Sequence, residues 1–359
     1  MNRLRNIAPG MAPLLILIIA EWIWGMKVGL WLAIAYGVGE LAYFAIRYKR
    51  FEKSTLADVG LLVLLGIVAI ALDGEVLDRI RPLIYLLILL LMLGISVFSK
   101  HNLLMAASGR MLKGRTFSPW EMQQMQNVMK TTFWWMSGYF VILLVGILFL
   151  SEENQQFLNS TGLYIFIAVA FLFLMIQKRL QNQRWRKEEW LPLIQEDGKV
   201  IGAAPRSVVH NGKSKWLHPV VHLQVVRGDG LWLQKRPMHK LVQPGKWDTA
   251  VGGHLSANEP IEAALQREAW EEIGVQLAQM KVEMLGRYQW KSKLEHEMVF
   301  AFVLIHEGTI TPHPEELDGA RVWSFREIEE GLGKEIFTPN FEYEYNLYKN
   351  SLKSKLGVS

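Results

Sequence analysis

The chain has 359 residues and no cysteine. That absence excludes disulfides, thiolate metal sites and a thiol nucleophile or proton donor anywhere along it. A strong overall charge is missing too: the net charge is +5, and it is unevenly spread. Residues 1–190 carry 19 Lys and Arg against 12 Asp and Glu, whereas residues 191–359 carry 20 against 22. The basic balance therefore comes from cations flanking apolar segments, not from a phosphate-binding face, and no nucleic-acid partner is expected. Nor does a small-x-small cleavage site follow the basic hexapeptide Met1–Asn6. The apolar run behind it reads as an uncleaved first membrane helix.

What the chain does have is two unlike halves. Apolar runs at roughly 9–25, 28–46, 58–73, 80–98, 132–150 and 161–177 are candidate spans, each to be judged against the ~20 residues that cross a bilayer core. Between Leu83 and Phe98 only Tyr85 and Ser96 carry a hydroxyl, too few to give a buried soluble helix a polar face. Cations gather before span one (Arg3, Arg5), after span two (Arg47, Lys49, Arg50, Lys53), after span four (Lys100, Arg110, Lys113, Arg115, Lys130) and after span six (Lys178, Arg179, Arg184, Arg186, Lys187). The alternate loops are cation-poor or acidic. The positive-inside rule then places both termini in the cytoplasm of a multi-pass inner-membrane protein. Glu21 and Glu40 lie inside or at the edge of spans one and two, where a carboxylate is a functional candidate or an interfacial residue. The expected organisation is an all-α polytopic membrane domain over 1–180, a charged linker over 181–195 and a cytosolic domain over 196–355. The partners expected of it are the lipid bilayer and a small-molecule diphosphate.

The membrane half resembles the septation protein A family of bacterial inner-membrane proteins, through its span pattern, Arg47-Tyr-Lys-Arg-Phe-Glu-Lys53 and Arg110-Met-Leu112. That resemblance implies division or envelope-synthesis proteins as partners.

The second half alternates strand and helix signals. Strands are expected over Val220–Val226 and Leu231–Lys235, joined by a hairpin at Arg227–Gly230. Further strands are expected near Met284–Gln289, Met298–Ile305 and Arg321–Ser324, and helices over Pro260–Ile273, Phe325–Leu332 and Phe341–Lys353. The sharpest signal is Gly253-x5-Glu259-x7-Arg267-Glu268-x2-Glu271-Glu272-x-Gly274. By chance such a match arises on the order of once in 10^8 to 10^9 starting positions. Pro260 suits the start of a helix and Gly274 the left-handed residue that ends it. Between them Glu268, Glu271 and Glu272 fall at i, i+3 and i+4, on one face. Carboxylates crowded in this way repel unless a hard divalent cation sits among them, and Mg²⁺ or Mn²⁺ bound there would bridge to substrate phosphates.

This motif is similar to the Nudix box, which implies an α/β/α-sandwich and metal-dependent cleavage of a diphosphate linkage. In that reading Glu272, Glu271 and Arg267 are catalytic, Arg267 orients a carboxylate of the cluster, and Glu259 supports the preceding loop. Asn258 stands where glycine is usual, a place Asn tolerates at positive φ, and Ala269 where a larger aliphatic is usual. The cations Lys235, Arg236 and Lys246, with Trp247, are the substrate-binding candidates.

A finer resemblance, carried by Gln243–His254, is to isopentenyl-diphosphate isomerases, whose metal is held by three histidines and two glutamates. The matching positions here are His210, His218, His254, Glu295 and Glu297. A single histidine such as His222 is as readily a satisfied core residue as a ligand. The isomerase cysteine falls at Gly252, so the resemblance implies a hydrolase more than an isomerase or a ligand-binding scaffold. Glu295, Glu297 and Glu315 are the candidate general bases. Substrate choice is expected to lie in the loops around Lys291–Glu297 and Pro312–Asp318.

Overall fold

The computed structural model describes residues 16, 19–20, 23–48, 60, 64, 75–98, 117–240, 242–313 and 317–355. They fall into two compact units, one of residues up to 116 together with 121–181, the other of residues 117–120 and 182 onward.

The first unit is helical: α1 Met26–Tyr48, α2 Glu75–Phe98, α3 Pro119–Phe149, α4 Glu152–Phe157 and α5 Leu163–Trp185, with a π turn over Leu158–Gly162 joining the last two. The π turn frees the Leu158 carbonyl, which accepts a bond from the Tyr139 hydroxyl at 2.6 Å. Gln155 Nε2 closes the end of α3 by donating to the Leu150 carbonyl at 2.9 Å. Tyr139 stacks on Phe166 at 4.4 Å between ring centres, so α3 and α5 pack side by side. Among the described residues, two helices are long and apolar enough to cross a membrane: Pro119–Phe149, and Glu152–Trp185 as one run. Only 17% and 6% of their most apolar windows are buried, where the core helix of a soluble protein would be mostly covered. Expected spans two and four are helical but give only shorter apolar helices, Val28–Tyr43 and Pro82–Phe98. Spans one and three, and Glu21, fall mainly or wholly outside the described residues. Glu40 lies within α1 and is half-buried.

The second unit opens with a two-stranded sheet, β1 Trp190–Ile194 and β2 Val200–Pro205, which occupies sequence expected to end a linker. Its apolar face closes around Trp120, whose ring meets Trp185, Trp190 and Trp216 edge-on at 4.8, 6.5 and 6.3 Å. After the short helix α6 Arg206–Val209 comes a seven-stranded sheet: β3 His218–Arg227, β4 Gly230–Lys235, β5 Trp247–Asp248, β6 Val251–His254, β7 Val282–Lys291, β8 His296–Ile305 and β9 Gly319–Ser324. β3 pairs in parallel with β8, while its other edge meets β6 at the start and β4 at the end.

Alternation along β3 sorts its side chains between two layers. Val221, Leu223 and Val225 pack on α7 (Ile261–Ile273) through Ala264, Leu265, Ala269 and Ile273. Ala269 is fully buried, and its small side chain suits a close approach of helix to sheet. The opposite face is covered by α8 (Phe325–Gly331) and α9 (Pro339–Ser354), with Phe325, Ile328, Phe341 and Tyr345 buried against Val226, Leu231 and Leu233. The result is the expected α/β/α sandwich. α7 begins one residue later than expected, with Pro260 as its N-cap, and ends on Gly274 at φ +66°.

Candidate active site

The loop before α7 and the helix itself are organised by one cation. Arg267 Nε and Nη2 each donate to Glu259 at 2.9 Å, a bidentate pair. Its Nη2 also reaches the His254 carbonyl at 3.0 Å, and Nη1 reaches Glu268 at 2.7 Å and Glu271 at 3.1 Å. Glu259 in turn accepts from the Ser256 amide at 2.8 Å, which holds the turn where Asn258 takes φ +68°. Arg267 thus ties Glu268 and Glu271 of the helix to Glu259 of the loop. The three acids do not converge on one point. Glu268 and the exposed Glu271 turn to Arg267, whereas Glu272 accepts from Gln234 Nε2 at 3.3 Å and from the Gly252 amide at 3.1 Å. The strong Arg267 field claims two carboxylates that would otherwise face a shared cation. Gly253 is required here, because a Cβ on it would stand 1.9 Å from Glu268 Cδ. Burial, only partly offset by Arg267, raises the Glu268 carboxyl above the ordinary range.

A second cluster lies at the other face of the sheet. His218 and His254 come from β3 and β6, and His210 follows α6; one ligand atom from each lies within 4.8 Å of the others. Their Nε2 atoms are buried and have no hydrogen-bond partner. His218 Nδ1 lies 3.0 Å from the Trp216 carbonyl, so that nitrogen carries the proton and Nε2 offers its lone pair inward. Burial, then the neighbouring His218 and Arg206, lowers His210 to about 4; burial chiefly lowers His218 to about 4, and burial holds His254 well below the ordinary histidine range. All three rings are neutral at pH 7, the form that ligates a metal. Glu297 Oε1 stands 4.0 Å from His218 Nε2 and 3.9 Å from His254 Nε2, and Glu295 lies 3.9 Å from His210 Nδ1. Burial and the proximity of Glu295 push Glu297 up to about 8, and burial raises Glu295 as well. Each carboxyl is thus held toward its protonated form, Glu297 by burial and by Glu295 beside it. Orphaned nitrogens facing raised carboxyls fit a divalent cation: each ligand's mismatch is removed once a charge of +2 sits among them.

The expected substrate contacts fare less evenly. Arg236 is committed to Asp248 at 3.1 Å and to the Val242 carbonyl at 3.2 Å. Trp247 packs on Trp323 at 5.3 Å against the α8 and α9 core, so it is a core neighbour and not a substrate platform. Lys235 and Lys246 are half-buried. Glu315 lies outside the described residues. One pairing went unread in the sequence: His222 Nδ1 sits 2.6 Å from the fully buried Glu344 of α9, which makes His222 the satisfied core residue of the two alternatives. The four-residue step from His218 to His222 places both on one strand face, the only signal the sequence held for it.

The NUDIX domain model matches residues 216–341. Among curated relatives, an isopentenyl-diphosphate Delta-isomerase of Agromyces mediolanus is 30% identical over 135 residues, 36% of this chain and 65% of that protein. An uncharacterized Nudix hydrolase of Nostoc sp. is 32% identical over 128 residues, covering 35% of this chain and 73% of that one. The chain belongs to the Nudix family. A crystal structure from Deinococcus radiodurans aligns with a TM-score of 0.40 at 22% identity, over 44% of this chain and 98% of that one. These comparisons lend nothing to the septation protein A resemblance of residues 1–180. The Nudix domain's box coincides with the Arg267-centred loop and helix, and its relatives include both hydrolases and isomerases.

Proposed function

We propose that the chain is a membrane-tethered, metal-dependent Nudix hydrolase that cleaves a diphosphate linkage in a nucleoside diphosphate derivative or an isoprenoid or lipid diphosphate. The observation that carries this reading is Gly252. At the position where the isomerase resemblance calls for a proton-donating thiol, the strand offers only backbone, and the chain has no cysteine to substitute. Isomerisation needs an acid and a base on opposite faces of a double bond. Hydrolysis needs an oriented water, a base and charge stabilisation at phosphorus.

His210, His218, His254, Glu295 and Glu297 would hold one cation; their nitrogen-rich set suits Mn²⁺ or another transition ion better than Mg²⁺. Glu268, Glu271 and Glu272 would take Mg²⁺ together with the substrate. A divalent cation supplies Lewis-acid charge to phosphoryl oxygens. The chain's own part is to fix these groups: Arg267 holds Glu268 in place, Glu272 sits against the Gly252 amide, and the Glu295–Glu297 pair can accept the proton of an attacking water. Lys235 and Lys246 are left to meet the diphosphate. The two exposed apolar helices support the tether, and the cations of the tail from Lys178 to Lys187 support a cytosolic face for the Nudix domain.

The test is a phosphate-release screen of the full chain in detergent, with Mg²⁺ or Mn²⁺, over nucleotide sugars, dinucleotides, nucleoside triphosphates and isoprenoid diphosphates. At least one substrate should be cleaved, and isopentenyl and dimethylallyl diphosphate should not be interconverted. Isomerase turnover by the unaltered protein would overturn the assignment.

A further inference from the structure

On the α7 side of the sheet, β4 carries one polar residue among apolar ones. Trp232 belongs to the core against α7 with Val221, Leu223 and Val225 of β3. Gln234, two residues on and therefore on the same face, is buried to 6% exposure. A primary amide in such a place costs free energy unless it is bonded. Its Nε2 donates to Glu272 Oε2 at 3.3 Å, and the Gly252 amide donates to the same oxygen at 3.1 Å. These donors come from β4 and β6, which follow one another along one edge of β3. The backbone of α7 is fixed where Glu272 leaves it. The His313 amide donates to the Glu272 carbonyl, and the Thr311 amide to the Ile273 carbonyl, both at 3.0 Å. Glu272 is thus held at its backbone by residues 311–313 and at its carboxylate by two strands. The other two acids of the box bond Arg267 instead, Glu268 at 2.7 Å and Glu271 at 3.1 Å. A guanidinium neutralises the carboxylate it holds, whereas amides orient one without adding a charge.

We infer that Gln234 is a positioning residue: with the Gly252 amide it holds Glu272 apart from the pair that Arg267 engages, and so fixes the carboxylate that the box presents to its divalent cation. This rests on the metal-dependent hydrolase reading above. Packing alone does not call for an amide at 234, since an apolar side chain of the same length would continue the face that Trp232 begins. The bond to Glu272 is what the amide adds. With that bond gone, one donor is left on the carboxylate, and its side-chain torsions are no longer fixed. Groups that orient a metal ligand from behind typically carry about 10- to 100-fold of metal affinity.

The probe is Mn²⁺, titrated into the full chain in detergent and followed by electron paramagnetic resonance. The Mn²⁺ binding that Glu272→Gln removes defines the box site, and the binding that His254→Ala removes defines the histidine site. Gln234→Met keeps the length of the side chain and removes the donor. It should melt in chelator at the temperature of the unaltered protein and bind Mn²⁺ at the box about 10- to 100-fold more weakly, with affinity at the histidines unchanged. If Gln234→Met does not fold, Gln234→Asn decides: it keeps the amide but withdraws it by about 1.5 Å, one carbon–carbon bond, and should give the same selective loss. Wild-type affinity at the box, or an equal loss at both sites, overturns the role of Gln234 and leaves the hydrolase reading standing. If Glu272→Gln removes no Mn²⁺ binding at all, the box is not a metal site, and both this role and the reading beneath it fall.

Discussion

Gly253→Ala is the sharpest perturbation of the box, because its consequence follows from distances alone. The added Cβ would lie 1.9 Å from Glu268 Cδ, 2.2 Å from Oε1 and 2.4 Å from Cγ. Ordinary contact between such atoms is about 3.5 Å, so the carboxylate must move by roughly 1.5 Å. That shift breaks the 2.7 Å bond to Arg267 Nη1, a charge-assisted contact of about 1.5–3 kcal/mol. Arg267 keeps its bidentate hold on Glu259 and its bond to the His254 carbonyl, so the fold survives. Misplacing a reacting or ligating group by about 1 Å costs on the order of 100-fold in rate, and turnover should fall at least that far. Gly252→Ala is the control for stability, since its Cβ meets nothing nearer than 3.6 Å. Thermal melting of both variants, a Mn²⁺ titration followed by electron paramagnetic resonance, and phosphate release together make the assay. The expected result is a folded Gly253→Ala with weakened Mn²⁺ binding at the box. Turnover and Mn²⁺ affinity both equal to wild type would show that Glu268 does not need its observed place.

Mn²⁺ or Co²⁺ at 100 times its dissociation constant should stabilise the protein by about 2.7 kcal/mol; a chelator should reverse this, and His254→Ala should abolish it. If the melting temperature ignores metal in both proteins, the histidine cluster is not a metal site. Metal binding at pH 7 should release a proton, taken from the Glu295–Glu297 pair with Glu297 at about 8 and not from the histidines near 4; titration in buffers of different ionisation enthalpy reads it directly. His222, raised to about 9, stabilises the fold fully below pH 6.5, and this stability is lost as pH rises through 9, on the order of 3 kcal/mol. Glu344→Gln should flatten that decline in melting temperature, and an unchanged slope would refute the pairing. An alkaline phosphatase fused after Trp190 should be inactive, placing that junction in the cytoplasm; strong periplasmic activity would reverse the proposed orientation.

The sequence made the second half legible where pattern and chemistry coincide. The box spacing dictates α7 and the left-handed Gly274, and both are present, whereas the Arg267–Glu259 pair was not read from it. The β3–β4 hairpin followed from the Gly-Asp-Gly turn. What stayed hidden depends on partners distant in sequence. Trp120 lies in polar sequence ahead of the apolar run at 132–150, yet its ring is enclosed by Trp185, Trp190 and Trp216. No local period marks such a contact, and a chain cut at Trp190 would lose it. Trp247, a substrate-binding candidate beside Lys246 in sequence, bridges Phe337 and packs against the core of α8 and α9. Glu344 was invisible for the same reason: its partners His222 and Tyr288 lie 122 and 56 residues away. The acid cluster was placed on the right helix face but not at a common point, because helical spacing says nothing of how many carboxylates one arginine will hold.

The edge strand β6 explains why so much chemistry gathers over four residues. Side chains of a strand alternate between faces, and among the described residues β6 pairs with β3 on one edge, while on the Gly252 amide it meets Glu272. Gly252 and His254 share the face of β3 that carries His218 and His222, while Val251 and Gly253 face α7. The histidine cluster and the box therefore lie on opposite sides of the sheet and would never meet across a central strand. At β6 they do: Glu272 bonds the Gly252 amide from the helix side, and Arg267 bonds the His254 carbonyl. The two glycines serve opposite ends. Gly253 lets Glu268 lie flat against the strand, and Gly252 stands over the buried imidazole of His222. A single methyl on the first displaces a carboxylate, whereas on the second it meets the ring at an ordinary 3.6 Å.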